Sequence, residues 1–272
     1  MSAPVFLVDP EFVSDAALES ILELPKAVSH HMSVMRIEPN EVCELVDGRG
    51  KRISGNLNIA GEFVVRNIAV EALPSLRIDV AQALIKGDRL ENSLDMLTQV
   101  GVMGLIPWMA DHSVVKWQGD KVAKQFTKWT NISRAATEQS RRSWTPEIRD
   151  PVTSPELANR LSTYDHVIVL VEASGEKYSG VTSGSVLLIV GPEGGISARE
   201  RELFGEAESL TLGTSVFRSE TAGVVGASYL FTQSGEWDSQ SGDTMKGLSN
   251  ARLHLLCDCF RRDPGEYRAA HP

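Results

Sequence analysis

The chain has few cysteines, no long apolar run and no surplus of basic charge, and each lack removes a class of function. Its 272 residues include only Cys43, Cys257 and Cys259. The last two stand one residue apart, which offers no disulfide framework and points to a reducing cytoplasm. No stretch approaches the roughly 18 consecutive apolar residues of a membrane span, so no membrane partner is expected. Residues 1–10 lack the basic segment, apolar core and small-residue cleavage site of a secretory signal. His254, Cys257 and Cys259 do not have zinc spacing, because the C-x-C has no matching distant pair, and no metal is expected. Dinucleotide and Walker phosphate fingerprints are missing as well, and so are internal repeats.

The formal net charge is −9. That balance counts against a nucleic-acid partner, since contacts to phosphates favour a basic surface. The distribution softens the objection. Residues 121–149 hold seven basic side chains (Lys121, Lys124, Lys128, Arg134, Arg141, Arg142, Arg149) against Glu138 and Glu147. A basic patch on an acidic body suits one docking face for RNA. The length of 272 residues fits two small domains or one large one, and hydrophobic residues, at 42%, suffice for a buried core.

Residues 1–72 read as short strands. Val42, Glu44 and Val46 alternate with Cys43 and Leu45 ahead of Asp47-Gly48-Arg49-Gly50, a strong hairpin signal. A small antiparallel barrel or sandwich is expected there. Ala72-Leu73-Pro74-Ser75 marks a boundary, and residues 76–236 alternate strands with helices. Strands are expected over 76–84, 102–107, 166–171 and 186–190, with helices over 88–100 and 120–141. In the second helix Val122, Phe126, Trp129, Ile132 and Ala136 form the apolar stripe. The continuous apolar runs at 166–171 and 186–190 fit strands buried on both faces of a parallel sheet. Residues 237–272 form a tail of unknown order.

Chemistry is expected where these strands end. Ile189-Val190 runs into Gly191-Pro192-Glu193-Gly194-Gly195, and Ser197 with Glu200 makes a capping box for the next helix. In open parallel sheets, ligands bind beyond the carboxyl ends of strands, and glycines there let the backbone approach them. The plain alternative is a tight turn. Leu212-Gly213 and the run 214–222 repeat the pattern, with Ser219 placed as a helix cap. Arg218 just before a helix amino terminus is electrostatically uncomfortable unless something anionic lies near. The loop Glu172-Ala173-Ser174-Gly175 is the third of the set.

Gly191-Pro192-Glu193-Gly194-Gly195, Leu212-Gly213 and Arg218-Ser219-Glu220-Thr221-Ala222 together closely resemble the RsmE family. These enzymes methylate N3 of a uridine in bacterial 16S ribosomal RNA and belong to the SPOUT superfamily of knotted methyltransferases. Ala83 to Arg89, Gly101-Val102, Ser113 to Lys116 and Glu138 to Arg142 match as well. His30-His31, Val34-Met35-Arg36 and the 47–50 turn resemble the family's PUA-like RNA-binding domain. The resemblance covers residues 4–236. It implies a trefoil-knotted α/β domain over 76–236 behind a PUA-like β-barrel over 1–72. It also implies a homodimer whose two subunits shape the site, with S-adenosylmethionine as cofactor.

Carried over residue by residue, the cofactor set is Leu170, Val171, Glu172, Gly191, Pro192, Glu193, Gly194, Gly195, Leu212, Gly213, Val216, Phe217 and Arg218. The RNA set is Arg36, Lys86, Arg89, Lys128, Arg134, Gln139, Arg141 and Arg142. Uridine N3 must lose a proton before it attacks the methyl group. Arg218 or Arg141 is the candidate to stabilise the developing negative charge, and Glu138 or Glu220 the candidate to accept the proton or orient an arginine. Three departures stand out: Gln99-Val100 where relatives carry Glu-Leu, Ser215 where many carry arginine, and a tail without counterpart. Trp144, beside Arg141 and Arg142, is expected to pack rather than to stack on a base. Three other readings remain open: the same fold binding RNA without catalysis, a methyltransferase for another RNA, and a small-molecule enzyme.

Overall fold

The computed structural model describes residues 3–172, 178 and 180–239. The first part holds strands β1 (Val5–Leu7), β2 (Ile21–Leu22), β3 (Val42–Val46), β4 (Lys51–Leu57) and β5 (Phe63–Val70), with helix α1 (Lys26–Val34) between β2 and β3. They form one sheet in the order β1-β3-β4-β5-β2. The hairpin expected from Asp47-Gly48 joins β3 and β4, and Asp47 Oδ1 accepts the amides of Arg49 and Lys51 at 2.7 and 2.9 Å. The sheet is not wholly antiparallel, because β1 pairs with β3 in parallel. The long excursion through β2 and α1 supplies the crossover that a parallel pair needs. Phe6, Met32, Cys43, Leu45, Ile53, Phe63 and Val65 are buried together as its core.

From Leu76 the chain builds β6 (Leu76–Ala83), α2 (Arg89–Val100), β7 (Gly104–Met109), α3 (Asp120–Gln139), β8 (Glu147–Ile148), β9 (Val152–Thr153) and α4 (Ser154–Ala158). Then follow β10 (His166–Leu170), β11 (Gly184–Val190), α5 (Ala198–Phe204), β12 (Glu208–Leu210), α6 (Ser219–Ser234) and α7 (Glu236–Ser239). The strands make one parallel sheet ordered β12-β10-β11-β6-β7-β8, with β9 also on β7. The two-residue strands β8 and β9 are too short to leave a periodic signal. On one face, α2, α3 and α6 cover Ile78, Val80, Leu188 and Val190; on the other, α4 and α5 cover Ala81, Ile106, Leu187 and Ile189. Burial on both faces is what the continuous apolar runs of β10 and β11 require.

The apolar stripe of α3 packs into the first of these cores, where Trp129 meets Trp117 edge to face at 5.0 Å. Helix α6 lies unusually close to the sheet. A side chain at Gly226 would place its Cβ 3.0 Å from Leu170, and one at Gly223 would come 3.1 Å from the Gln82 amide. Among the described residues no helix is long and apolar enough to cross a membrane. Nor does any group of three His, Cys, Asp or Glu lie together as a metal site. Ala173, Ser174, Gly175, and the tail from 240 with His254, Cys257 and Cys259, fall outside the described residues.

Candidate active site

Because the long sheet is parallel, the segments that leave β7, β10, β11 and β12 all emerge on one edge. Residues 169–172, 190–198 and 212–219 close there on a cavity of about 910 Å³. Every residue assigned to the cofactor from sequence lines it: Leu170, Val171, Glu172, Gly191, Pro192, Glu193, Gly194, Gly195, Leu212, Gly213, Val216, Phe217 and Arg218. The wall also includes His112, Arg201, Ser215 and Ser219. The sequence reading gives His112 no role, although it sits three residues past β7. The strand-end rule that singled out the other loops applies to it equally.

The 191–195 turn is held tightly. A Cβ on Gly191 would come 2.9 Å from Ile196, and one on Gly194 would come 3.0 Å from the Cβ of His112. Gly195 has φ +72°, a left-handed conformation that glycine adopts without strain, and its amide donates to Pro192 O at 2.9 Å. Nδ1 of His112 lies 2.9 Å from Gly194 O and 3.0 Å from Gly195 O.

Beyond the turn, the capping box forms as expected: the Glu200 amide donates to Ser197 Oγ at 3.1 Å, and the Ser197 amide to Glu200 Oε2 at 2.8 Å. The glutamate does more than cap. It is fully buried, and its Oε1 accepts the Asp111 amide at 2.7 Å and the Ser154 hydroxyl at 2.6 Å. Asp111 in turn accepts from Ser197 Oγ at 2.7 Å and from the Arg199 guanidinium, at 3.1 Å from Nε. Those hydrogen bonds hold its carboxyl down at about 2. The β7 exit and the start of α5 are thereby bolted together underneath the glycine turn.

The second loop differs from its expected local form. Ser219 is not the cap of α6; that position is Arg218, whose carbonyl accepts the amides of Thr221 and Ala222 at 2.9 and 2.8 Å. The Ser219 hydroxyl is spent elsewhere. It donates to Gly191 O at 2.6 Å and accepts from Gln82 Nε2 at 2.9 Å, tying the starts of both loops to the end of β6. Arg218 itself is exposed on the cavity wall. Glu220 is turned toward α2, with Oε1 3.7 Å from Arg89 Nε, and is not part of that wall.

Glu138 and Arg141 lie farther away, at the seam between the two sheets. Glu138 Oε1 accepts the Leu7 amide at 2.8 Å, and its Oε2 is 3.8 Å from His31 Nδ1. Arg141 has a left-handed φ of 57°, and its carbonyl accepts from Arg52 at 2.8 Å while its side chain is exposed. The Arg142 guanidinium is inside, donating to Trp144 O at 3.3 Å and Gly101 O at 3.2 Å, and burial pushes it down to about 10. Trp144 packs over Gly50, where a Cβ would meet its ring at 2.5 Å. Of the remaining basic residues assigned to RNA, Lys128 pairs with Glu91 and Arg134 approaches Asp9 at 3.7 Å. Arg36, Lys86, Arg89 and Gln139 are exposed, and Lys86 and Arg89 follow β6 on the same edge as the cavity.

A family model described as "RNA methyltransferase domain" matches residues 71–231. Over 227 residues the chain is 30% identical to the ribosomal RNA small subunit methyltransferase E of Mycobacterium bovis, which covers 79% of this chain and 87% of the relative. The Bacillus subtilis protein of the same description is 32% identical over 213 residues, covering 72% and 83%. Among solved structures, the ribosomal RNA small subunit methyltransferase E of Neisseria gonorrhoeae bound to S-adenosylmethionine superposes with a TM-score of 0.75. It is 25% identical and covers 85% of this chain and 98% of its own. A Legionella pneumophila methyltransferase, also holding S-adenosylmethionine, gives 0.74 at 27% identity and the same coverage.

Proposed function

The chain belongs to the ribosomal RNA small subunit methyltransferase E family, and from that premise we propose that it methylates N3 of a uridine in 16S ribosomal RNA within the small ribosomal subunit. The observation that carries this reading is the convergence of three separate glycine-bearing or apolar segments on one cavity at the carboxyl edge of a parallel sheet. The cavity fits S-adenosylmethionine by size, by its close-approach glycines and by charge. Small-molecule sites commonly span about 300–1,000 Å³. Glu172 and Glu193 on the wall complement an ammonium and a sulfonium, while Arg218 and Arg201 complement a carboxylate or a developing anion.

When bound, S-adenosylmethionine supplies a methyl group already activated on sulfonium. The chain's own residues supply the rest. Gly191 to Gly195 and Leu212 to Phe217 would hold the cofactor. Arg218 would stabilise negative charge as uridine N3 is deprotonated. Lys86, Gln139 and Arg141 would meet the RNA, with Arg36 extending that face onto the first, PUA-like domain. Arg89, Lys128, Arg134 and Arg142 would contribute mainly through the contacts that already engage them. The path of the chain into α6, pinned through Ser219 to the 191 turn, is the segment we assign to a trefoil knot. Val216, Phe217, Tyr229 and Trp237 remain exposed on this part of the protein and would be covered in a homodimer.

The test is methyl transfer from labelled S-adenosylmethionine to small subunits lacking their own modification, followed by nucleoside analysis. A 3-methyluridine product is expected. Cofactor binding without incorporation would move the assignment to another RNA. Loss of both would favour an RNA-binding protein with this fold.

A further inference from the structure

We propose that His112 accepts the N3 proton of the target uridine, with Nδ1 as its anchor and Nε2 as its base. The inference rests on the methyl-transfer reading above. Among the described residues, five ionisable side chains line the cavity: His112, Glu172, Glu193, Arg201 and Arg218. Guanidinium groups keep their protons far above neutral pH, and carboxylates take one up only well below it. An imidazole ordinarily exchanges its proton between pH 5 and 8, the range that best matches general-base work at neutral pH. Glu138 and Glu220 stand outside the wall, engaged with Leu7 and Arg89.

Geometry selects the tautomer. Nδ1 faces the carbonyl oxygens of Gly194 and Gly195 at 2.9 and 3.0 Å. Carbonyls only accept, so Nδ1 carries hydrogen and the lone pair of the neutral ring is on Nε2. The same two carbonyl dipoles stabilise the imidazolium as a proton arrives, as a hydrogen-bonded partner at Nδ1 does in other histidine bases. The residue is also firmly mounted. Its neighbour Asp111 is fastened through its amide to buried Glu200 and through its carboxylate to Ser197 and Arg199. The charged groups that share its surroundings are Asp111 and Arg199 on the mount and, on the wall of the same cavity, Glu172, Glu193, Arg201 and Arg218.

In the step itself, the N3–H bond breaks and the proton passes to Nε2. The N3 electron pair forms the N3–CH3 bond while the S–CH3 bond breaks, leaving its electrons on sulfur. The imidazolium then releases its proton to water.

His112→Asn separates anchor from base, because the asparagine amide offers an N–H near the place of Nδ1 and nothing at Nε2. This variant should bind S-adenosylmethionine within about 3-fold of the parent by calorimetry and yet transfer methyl roughly 10²–10⁴-fold more slowly at neutral pH. Its deficit should shrink as pH rises and uridine ionises unaided. Nitrogen-15 NMR of the cofactor-free protein should show His112 as the Nδ1–H tautomer. An asparagine variant with the parental rate and pH profile, or an Nε2–H tautomer, would overturn the inference alone. Failure of the parent to produce 3-methyluridine would overturn the functional reading, and this inference with it.

Discussion

At the carboxyl edge of the long sheet, Gly195 and Gly213 have left-handed backbones, and a Cβ on either would meet nothing within 4 Å. At the seam between the sheets, Gly48 and Gly50 are left-handed too, but a Cβ there would strike Thr145 Oγ1 at 2.8 Å or the Trp144 ring at 2.5 Å. The charges divide in the same way. Arg218 and Glu193 border a cavity, whereas half-buried Arg142 rests on two carbonyls and Glu138 holds the Leu7 amide at the seam between the sheets. Both regions present glycine turns beside an arginine and a glutamate. What separates a cavity wall from a joint is whether the surrounding protein leaves the groups unsatisfied.

Among the tests of that contrast, the largest expected effect lies on the open side. Arg218→Ala should lower methyl transfer by about 10²–10³, or about 3–4 kcal/mol on the barrier, while thermal unfolding stays near that of the parent. An unfolding midpoint that falls with the activity would make Arg218 a structural residue like Arg142 and erase the contrast. Gly50→Ala should instead act on folding, destabilising by about 3 kcal/mol or more through overpacking against Trp144 and a strained φ of +98°. Denaturant titration checks it.

Glu138→Ala leaves the Leu7 amide without its acceptor and should cost about 1–2 kcal/mol, with cofactor affinity unchanged. A selective loss of rate at constant stability would return Glu138 to the catalytic set. Gly213→Ala, strained by its φ of +90° but free of clash, should cost about 1 kcal/mol and weaken cofactor binding measured by calorimetry. The smallest effect belongs to Asp111. Its carboxyl titrates at about 2 rather than 3.8, so its contribution is complete above the higher value and is lost as pH falls through the lower. Exposure to solvent keeps that contribution below about 1 kcal/mol. Asp111→Asn should flatten this stretch of an acid-unfolding curve, and a curve of unchanged shape would count against the clasp.

The legible parts of this molecule were those governed by neighbours within a few residues. The hairpin at Asp47-Gly48, the stripe of α3, the apolar runs of β10 and β11 and the box of Ser197 with Glu200 all rest on periodicity or on side chains reaching three or four positions along the chain. Ser219 misled for the complementary reason. A serine at a helix start is a good local cap, but here its hydroxyl bonds Gly191, 28 residues away. His112 carried only the signal of its place after a strand, because its pairing depends on the carbonyls of a turn more than 80 residues downstream.

The sequence by itself determined the alternation of strands and helices, the parallel character of the second sheet and which strand-end loops border the cavity, since these follow from hydrophobic period and turn chemistry. Only the tertiary structure decided which charges remain available. Whether Arg142, Glu138, Glu200 or Arg218 is spent inside the fold or left facing a cavity depends on distant segments arriving beside it. A charged group keeps its freedom to act on a ligand only where no donor or acceptor of the protein has already satisfied it.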